Sequence, residues 1–239
     1  KAGEFCKAER IMQTLSAEDL LGPLNEFEAK HAPDALYVRG DKDILRHGAR
    51  VSIVGSRKAS QFGLARARKL AARLAERGIV VVSGLAEGID TAAHTSTIEH
   101  GGRTVAVIGT PIDQAYPKQN RELQERIARE HLLVSQFAPG RPVQRKNFPM
   151  RNRTMALISD ATVIIEASNT SGSLSQGWEA LRLGRALFIT KALTENKEIS
   201  WTRDMLDHGA QVLSDETFQD FLDCLPERAE MELDVALPF

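Results

Sequence analysis

Cysteine is almost missing from this 239-residue sequence: Cys6 and Cys224 are the only two, far apart and in no ligand-like spacing. A disulfide framework and a cysteine-built metal site are thereby excluded, no cofactor is implied, and a reducing cytoplasm is the compartment that fits. No apolar run approaches the ~20 residues of a membrane span. No basic-then-apolar leader opens the chain, so a soluble, intracellular protein without membrane contact is expected. An excess of charge of one sign is lacking too: 31 basic against 32 acidic residues give a net charge of -1, which argues neither for nor against a nucleic-acid partner. There is no low-complexity tract, no repeat beyond an alternation of short segments, and no Gly-x-Gly-x-x-Gly dinucleotide fingerprint.

What is present is a 42% hydrophobic chain, enough to fill one core. Short apolar, β-branched runs recur at 51–55, 79–84, 104–109, 131–137, 161–168 and 186–190, with starts 25 to 30 residues apart. Each has the length of a buried strand. Amphipathic stretches at 63–77, 89–100, 120–130 and 173–183 separate them. Strand and helix in alternation predict an α/β fold: a doubly wound, mainly parallel, Rossmann-like sheet covered on both faces. Residues 1–40 are expected as an N-terminal appendage, with a helix over 16–30 and an edge strand over 34–39. Residues 41–225 are expected as the Rossmann-like domain, closing with a helix over 214–225, and 226–239 as a mobile acidic tail.

Charge is unevenly spread. Arg50 to Ala75 holds seven basic residues and no acid, whereas Asp215 to Phe239 holds eight acids and one Arg. In doubly wound sheets ligands collect at the carboxyl ends of the strands, so the turns there matter most. Gly55-Ser56-Arg57 ends the first run, where small residues let a phosphate approach the backbone and Arg57 adds a charge-assisted contact. Ser83-Gly84 ends the second, with Asp90 suited to capping the next helix and His94 one turn on. The strongest sign of an anionic partner is Arg141 to Arg153: five basic residues, two prolines, Phe148 and no acid. It reads as an extended loop in which Lys146, Asn147, Arg151, Asn152 and Arg153 meet phosphates while Phe148 stacks on an unpaired base. Ser171-Gly172-Ser173 opens another helix as an anion-binding nest. Ordinary βα turns with solvated Arg, and a Phe148 packed inward, are the plainer readings of the same residues. The four turns are expected to converge on one edge of the sheet.

These same residues carry a family likeness. Val54-Gly55-Ser56-Arg57, Ser83-Gly84-Leu85-Ala86-x-Gly88-Ile89-Asp90-x-x-Ala93-His94, Tyr116-Pro117-x-x-Asn120, Asn147-Phe148-Pro149-x-Arg151-Asn152-Arg153 and Ser171-Gly172-Ser173-Leu174 occur in one order over residues 51–213. In that order they resemble the DNA-processing proteins of the DprA/Smf family. The resemblance implies an extended Rossmann domain that binds single-stranded DNA, forms a homodimer and hands the strand to a RecA-type recombinase during transformation. The family usually continues with a Thr-Ala-Arg type of helix where this sequence has Ser175-Gln-Gly-Trp-Glu-Ala180.

That departure keeps other functions in view. LOG-type nucleotide hydrolases are similar domains that pair a glycine-rich turn with a downstream Glu, and Glu179 imitates that carboxylate, against the simpler reading of a solvated helix position. A nucleotide-binding sensor without turnover is a third reading. The terminus ending in Leu237-Pro238-Phe239 resembles the tail of single-strand-binding proteins, or is a frayed end.

Overall fold

The computed structural model describes residues 11–227. Cys6, Leu237, Pro238 and Phe239 lie outside them.

One nine-stranded sheet organises the chain. Its strands are β1 (Gln13–Leu15), β2 (Leu36–Gly40), β3 (Arg50–Val54), β4 (Val80–Ser83), β5 (Thr104–Ile108), β6 (Leu132–Ser135), β7 (Ala161–Ile164), β8 (Ala186–Thr190) and β9 (Gln211–Leu213), in the spatial order β1-β2-β6-β5-β4-β3-β7-β8-β9. From β6 across to β9 every pairing is parallel, while β1 and β2 add antiparallel pairs at one side. Parallel strands buried on both faces need apolar side chains on both, and β3, β4, β5, β6 and β7 are buried throughout.

The helices are α1 (Ala17–Leu21), α2 (Glu26–His31), α3 (Gln61–Ala75), α4 (Ile89–Glu99), α5 (Arg121–Glu130), α6 (Asn147–Ile158), α7 (Ser173–Arg182), α8 (Lys191–Thr194), α9 (Trp201–Asp207) and α10 (Phe218–Asp223). On one face Ile53, Val81 and Val163 pack with Ala67, Leu70 and Leu74 of α3, Ala93 of α4 and Phe221 of α10. On the other, Val82, Val107 and Ile164 pack with Met155 and Ile158 of α6 and Met205 of α9. The α5 helix sets Ile127 and Ala128 against Ala106, Ile108 and Leu133. The expected doubly wound α/β architecture is what forms.

Four local expectations differ. Residues 16–30 make two short helices, because Gly22 leaves the helix at φ +88° and Pro23 follows it; each helix starts with its own capping box, at Ser16 and Asn25. The strand expected at 34–39 is not an edge, since β1 pairs outside it. The segment 214–225 gives only the six-residue α10, preceded by β9. Most important, the end of the basic segment is not an extended loop: α6 starts at Asn147. Pro149 falls in its first turn, where the missing N–H leaves no bond unmade.

The order of strands locates the site. The chain moves outward from β3 through β4 and β5 to β6, then crosses back by α6 to β7 on the far side of β3 and proceeds to β8 and β9. The direction of winding therefore reverses between β3 and β7, and at such a switch point the turns following two neighbouring strands diverge to opposite faces and open a crevice.

Candidate functional site

A cavity of about 640 Å³ occupies that crevice. Its floor is the turn after β3, from Gly55 to Lys58; one wall is the start of α6, with Phe148 and Asn152; the other is the turn after β7 and the start of α7, with Ser168, Ser171, Gly172 and Ser173. The backbone N–H of Ser56 donates to the Glu166 carbonyl at 2.7 Å, which ties the two turns together at the switch point.

Phe148 is half-buried and makes two contacts that sequence alone did not reveal. The Arg57 guanidinium lies over its ring, 5.2 Å from the centroid, and the Tyr116 ring lies 5.4 Å away at a tilt of 49°. A smaller recess of about 90 Å³ beside the cavity is lined by Tyr116, Phe148, Arg57 and Gly84. Aromatic faces with a cation over one of them make a platform for another π-system.

At the base of the cavity, and part of its lining, lies Arg151. It is buried, with Nη1 donating to the carbonyls of Gly84 (2.5 Å) and Val107 (2.7 Å) and Nε to Asn152 Oδ1 (3.0 Å). The guanidinium thus ties the ends of β4 and β5 to α6. Gly84 permits this approach, because a Cβ there would sit 2.1 Å from Arg151 Nη1. Asp90 is buried nearby and accepts from the Ala86 N–H at 3.3 Å. Burial raises its carboxyl above the ordinary range, opposed by the Arg151 charge and the Ala86 N–H; burial lowers Arg151, opposed by Asp90. Asn152 extends the network, donating to the Gly172 carbonyl at 3.0 Å and holding the α7 turn in place.

The other expected residues divide between cavity and scaffold. Ser56, Arg57, Phe148, Ser171, Gly172 and Ser173 line the cavity; the Ser171 and Ser173 hydroxyls lie 2.7 Å apart. Lys146 is exposed just before α6, and Asn147 is buried at its first position. Ser83 is fully buried, with its hydroxyl donating to the Ile53 carbonyl at 2.6 Å and lying against the Asp90 carboxyl, so it belongs to the framework. Arg153 is partly engaged by Glu179, whose Oε2 is 3.5 Å from its Nε. Glu179 also pairs with Arg182 at 2.9 Å, is 9% exposed and is not among the residues lining the cavity. It is neither the solvated position nor the cavity carboxylate the sequence offered; Asp90 is the carboxylate that lines the cavity. Trp178 packs against the core beside α6 and meets His208 edge-on at 5.3 Å, so the unusual Trp-Glu pair belongs to packing between helices.

His94 is buried, with Nδ1 2.7 Å from Thr104 Oγ1. Because the Thr104 hydroxyl donates to the Val81 carbonyl, it accepts from His94 Nδ1–H. Burial lowers its pKa to about 3, helped by His131. Asn120 donates to the carbonyl of Leu85, a non-glycine residue at φ +57°, and to Thr91 Oγ1. It thereby pins the strained turn after β4. Lys58 and Glu166 were missed by sequence reasoning: Lys58 lines the cavity next to Arg57, and Glu166 accepts from Ser60 N (2.8 Å) and Oγ (2.5 Å) at the start of α3. Adjacency to Arg57 was the available signal for Lys58. None existed for Glu166, whose partner is 106 residues away. Among the described residues no group of three or more His, Cys, Asp or Glu side chains is placed to hold a metal ion, and no helix is long and apolar enough to cross a membrane.

The model of the family described as DNA recombination-mediator protein A matches residues 14–226. The chain belongs to this family. The DNA processing protein DprA of Streptococcus pneumoniae is 41% identical over 192 residues, covering 80% of this chain and 67% of the relative. The X-ray structure of DprA from that organism superposes with a TM-score of 0.80 at 34% identity, over 92% of this chain and 76% of that one. DprA of Helicobacter pylori, whose structure was studied for its single-stranded DNA binding mode, superposes with a TM-score of 0.74 at 28% identity, over 88% of this chain and 95% of that one. The chain spans from about half to two thirds of the length of the curated relatives it matches. A molybdenum cofactor binding protein from Rippkaea orientalis, 15% identical with a TM-score of 0.54, shares the DprA-type fold alone.

Proposed function

We propose that this chain binds single-stranded DNA in the cavity at the β3/β7 switch point, as a DNA-processing protein of recombination. The observation that carries the reading is the cluster of Arg57, Phe148 and Tyr116 beside the cavity, with the guanidinium over the Phe148 ring and the Tyr116 ring tilted against it. An aromatic face presented beside a cation takes a base and its phosphate together, and only an unpaired base is free to stack. Ser56, Arg57, Lys58, Ser171, Gly172 and Ser173 receive phosphate in the cavity, and Lys146 meets the strand outside it. Gly84, Ser83, Asn147, Arg151 and Asn152 hold this surface in shape from beneath, while Arg153 contributes what charge Glu179 leaves it. In its cellular setting the bound strand is protected and passed to a RecA-type recombinase, with two copies of the chain acting as a homodimer in the cytoplasm. Binding, not turnover, is the activity assigned.

Competition for a labelled single strand tests the reading. Unlabelled single strand is expected to displace it far below the concentration at which duplex does, and a mononucleotide only weakly. Equal competition by a mononucleotide would replace a strand-binding groove by a nucleotide pocket. Release of free base from nucleoside monophosphates, detected chromatographically, would make the site hydrolytic.

A further inference from the structure

The basic run between Arg50 and Ala75 is larger than the cavity uses. Arg50 is bound to Asp160 at the opposite edge of the sheet, and Arg57 and Lys58 face the cavity. Arg66, Arg68, Lys69 and Arg73 of α3 remain. Spacings of three and four residues put Phe62, Arg66, Lys69 and Arg73 on one face of the helix. Phe62 is 76% exposed, and Arg66 and Lys69 are exposed as well.

Arg66, Lys69 and Arg73 of that face border open space, with Phe62 one turn before Arg66 and outside the groove lining. A groove of about 340 Å³ begins at the rim of the cavity, with which it shares Ser56, Lys58 and Ser168. A further groove of about 320 Å³ continues it, sharing Arg66, Ile165 and Ala192 and ending at Asp215 and Phe218. The three form one trough along the carboxyl ends of β7, β8 and β9, with α3 as a cationic wall and Lys191 on the other side. Its acids are few and mostly engaged. Glu166 is taken by Ser60, and Asp215 is held by Lys69 Nζ and Arg73 Nη1, each at 2.8 Å. Glu195 lines the outer groove. Arg66 has no carboxylate within ion-pair distance among the described residues.

We propose that this trough is a second segment of the nucleic-acid path: a strand whose base is seated at Phe148 runs on along α3, with phosphates on Lys58, Arg66 and Lys69 and a base against Phe62, displacing Asp215 from Lys69. The inference rests on single-strand binding in the cavity, and it extends that site to a longer ligand. A strand held in the cavity must leave over its rim, and the trough is where the rim opens onto further cations. A repeating polyanion with exposed bases matches a row of cations that starts at an exposed aromatic; an acidic polypeptide has no group that needs Phe62. Asp215 is an exposed counter-ion, and such surface pairs are weak and screened by salt, so a phosphate replaces it at little cost.

Oligonucleotide length separates the two segments. Binding of a short oligothymidine of about six nucleotides and a long one of about 25 is measured across a range of salt, within and beyond the site size of one single-strand module. Arg66→Ala/Lys69→Ala is expected to match wild type on the short strand. On the long one it is expected to bind about tenfold more weakly, with the slope of log affinity against log salt reduced by about 0.7 to 1.4, the release of one or two counterions. Asp215→Asn is expected to tighten the long strand and leave the short one unchanged. Unchanged affinity and slope on the long strand in Arg66→Ala/Lys69→Ala overturn the proposal, as does an equal loss on both lengths. If wild type binds neither oligonucleotide, the cavity reading fails and this inference with it; if wild type binds both and the α3 variants match it, only the trough is lost.

Discussion

The guanidinium of Arg57 lies 5.2 Å from the centroid of the Phe148 ring, joining the turn after β3 to the start of α6 across the mouth of the cavity. The two side chains do different physical work on a bound strand, and their replacements are expected to separate it. Phe148→Ala removes stacking worth about 1–3 kcal/mol and releases no counterion, so affinity falls while the salt slope stays. Arg57→Ala removes a phosphate contact, so the slope falls by about 0.7. The two losses are expected to be non-additive by about 0.5–1 kcal/mol, the value of a surface cation–π contact. Fluorescence titration at several salt concentrations measures all three. A slope that changes in Phe148→Ala but not in Arg57→Ala would reverse the roles.

Arg151 is a framework cation. Its Nη1 satisfies the carbonyls of Gly84 and Val107, and its charge balances Asp90 in a buried setting. Arg151→Met leaves two carbonyls and a carboxylate without it. Breaking a buried pair from one side costs about 3–5 kcal/mol, and urea denaturation of this variant is expected to show a loss of that order. Adding Asp90→Asn removes the stranded carboxylate and is expected to recover part of it. Stability within about 1 kcal/mol of wild type in Arg151→Met would mean that the side chain serves the ligand, not the fold.

Arg151 also marks where the sequence stops being legible. The central strands could be read because a parallel strand buried on both faces is a nearly unbroken apolar run, as Val80-Val81-Val82 is, and the turns because each small-residue break follows such a run. Residues 141–153 misled because two prolines and five basic residues describe an extended solvated loop equally well. Yet Arg151, Met155 and Ile158 fall at i, i+4 and i+7, one face of a helix, a spacing that marks this stretch as helical. No comparable signal existed for β1 and β9, each three residues long, or for the contact of Arg153 with Glu179, which joins two helices. The contact of Arg57 with Phe148 joins positions 91 residues apart and belongs to the topology alone.

Two glycines around the cavity are expected to weaken binding for different reasons when given the same methyl group. A Cβ on Gly109 would lie 2.7 Å from the Phe148 ring, whereas one on Gly172 meets nothing within 4 Å, at a helical φ of -64°. Gly109→Ala must push the ring off its place and is expected to lower single-strand affinity toward that of Phe148→Ala. Gly172→Ala is expected to leave the melting temperature unchanged or slightly raised. Because it puts a methyl group in the proposed phosphate nest, it is expected to weaken DNA binding all the same. A Gly172→Ala protein that binds as wild type removes Gly172 from the interface; a Gly109→Ala protein that does so shows that the position of the Phe148 ring is unimportant.

His94 supplies a pH test of the framework independent of any ligand. Its pKa lies at about 3 in the folded chain, against about 6.5 for an exposed imidazole, because burial disfavours the charged ring and His131 adds to the effect. Below about pH 6.5 the unfolded chain binds a proton that the folded chain does not, so this residue's contribution is whole above that value and lost as the pH falls toward 3. The slope reaches about 1.4 kcal/mol per pH unit, or about 2 kcal/mol between pH 6.5 and pH 5. Asp90 acts in the opposite sense, since its raised carboxyl takes up a proton in the folded chain first and relieves a burial penalty as the pH drops. The diagnostic quantity is therefore the difference between wild type and His94→Gln, not either profile alone. Urea denaturation at about pH 7.5 and about pH 5 is expected to show a smaller acid loss in His94→Gln by about 2 kcal/mol, even though the variant begins less stable for want of the imidazole's packing and its bond to Thr104. Equal acid losses in the two proteins would mean that His94 is protonated in the folded chain, and that the Thr104 hydroxyl is not the acceptor of a neutral ring.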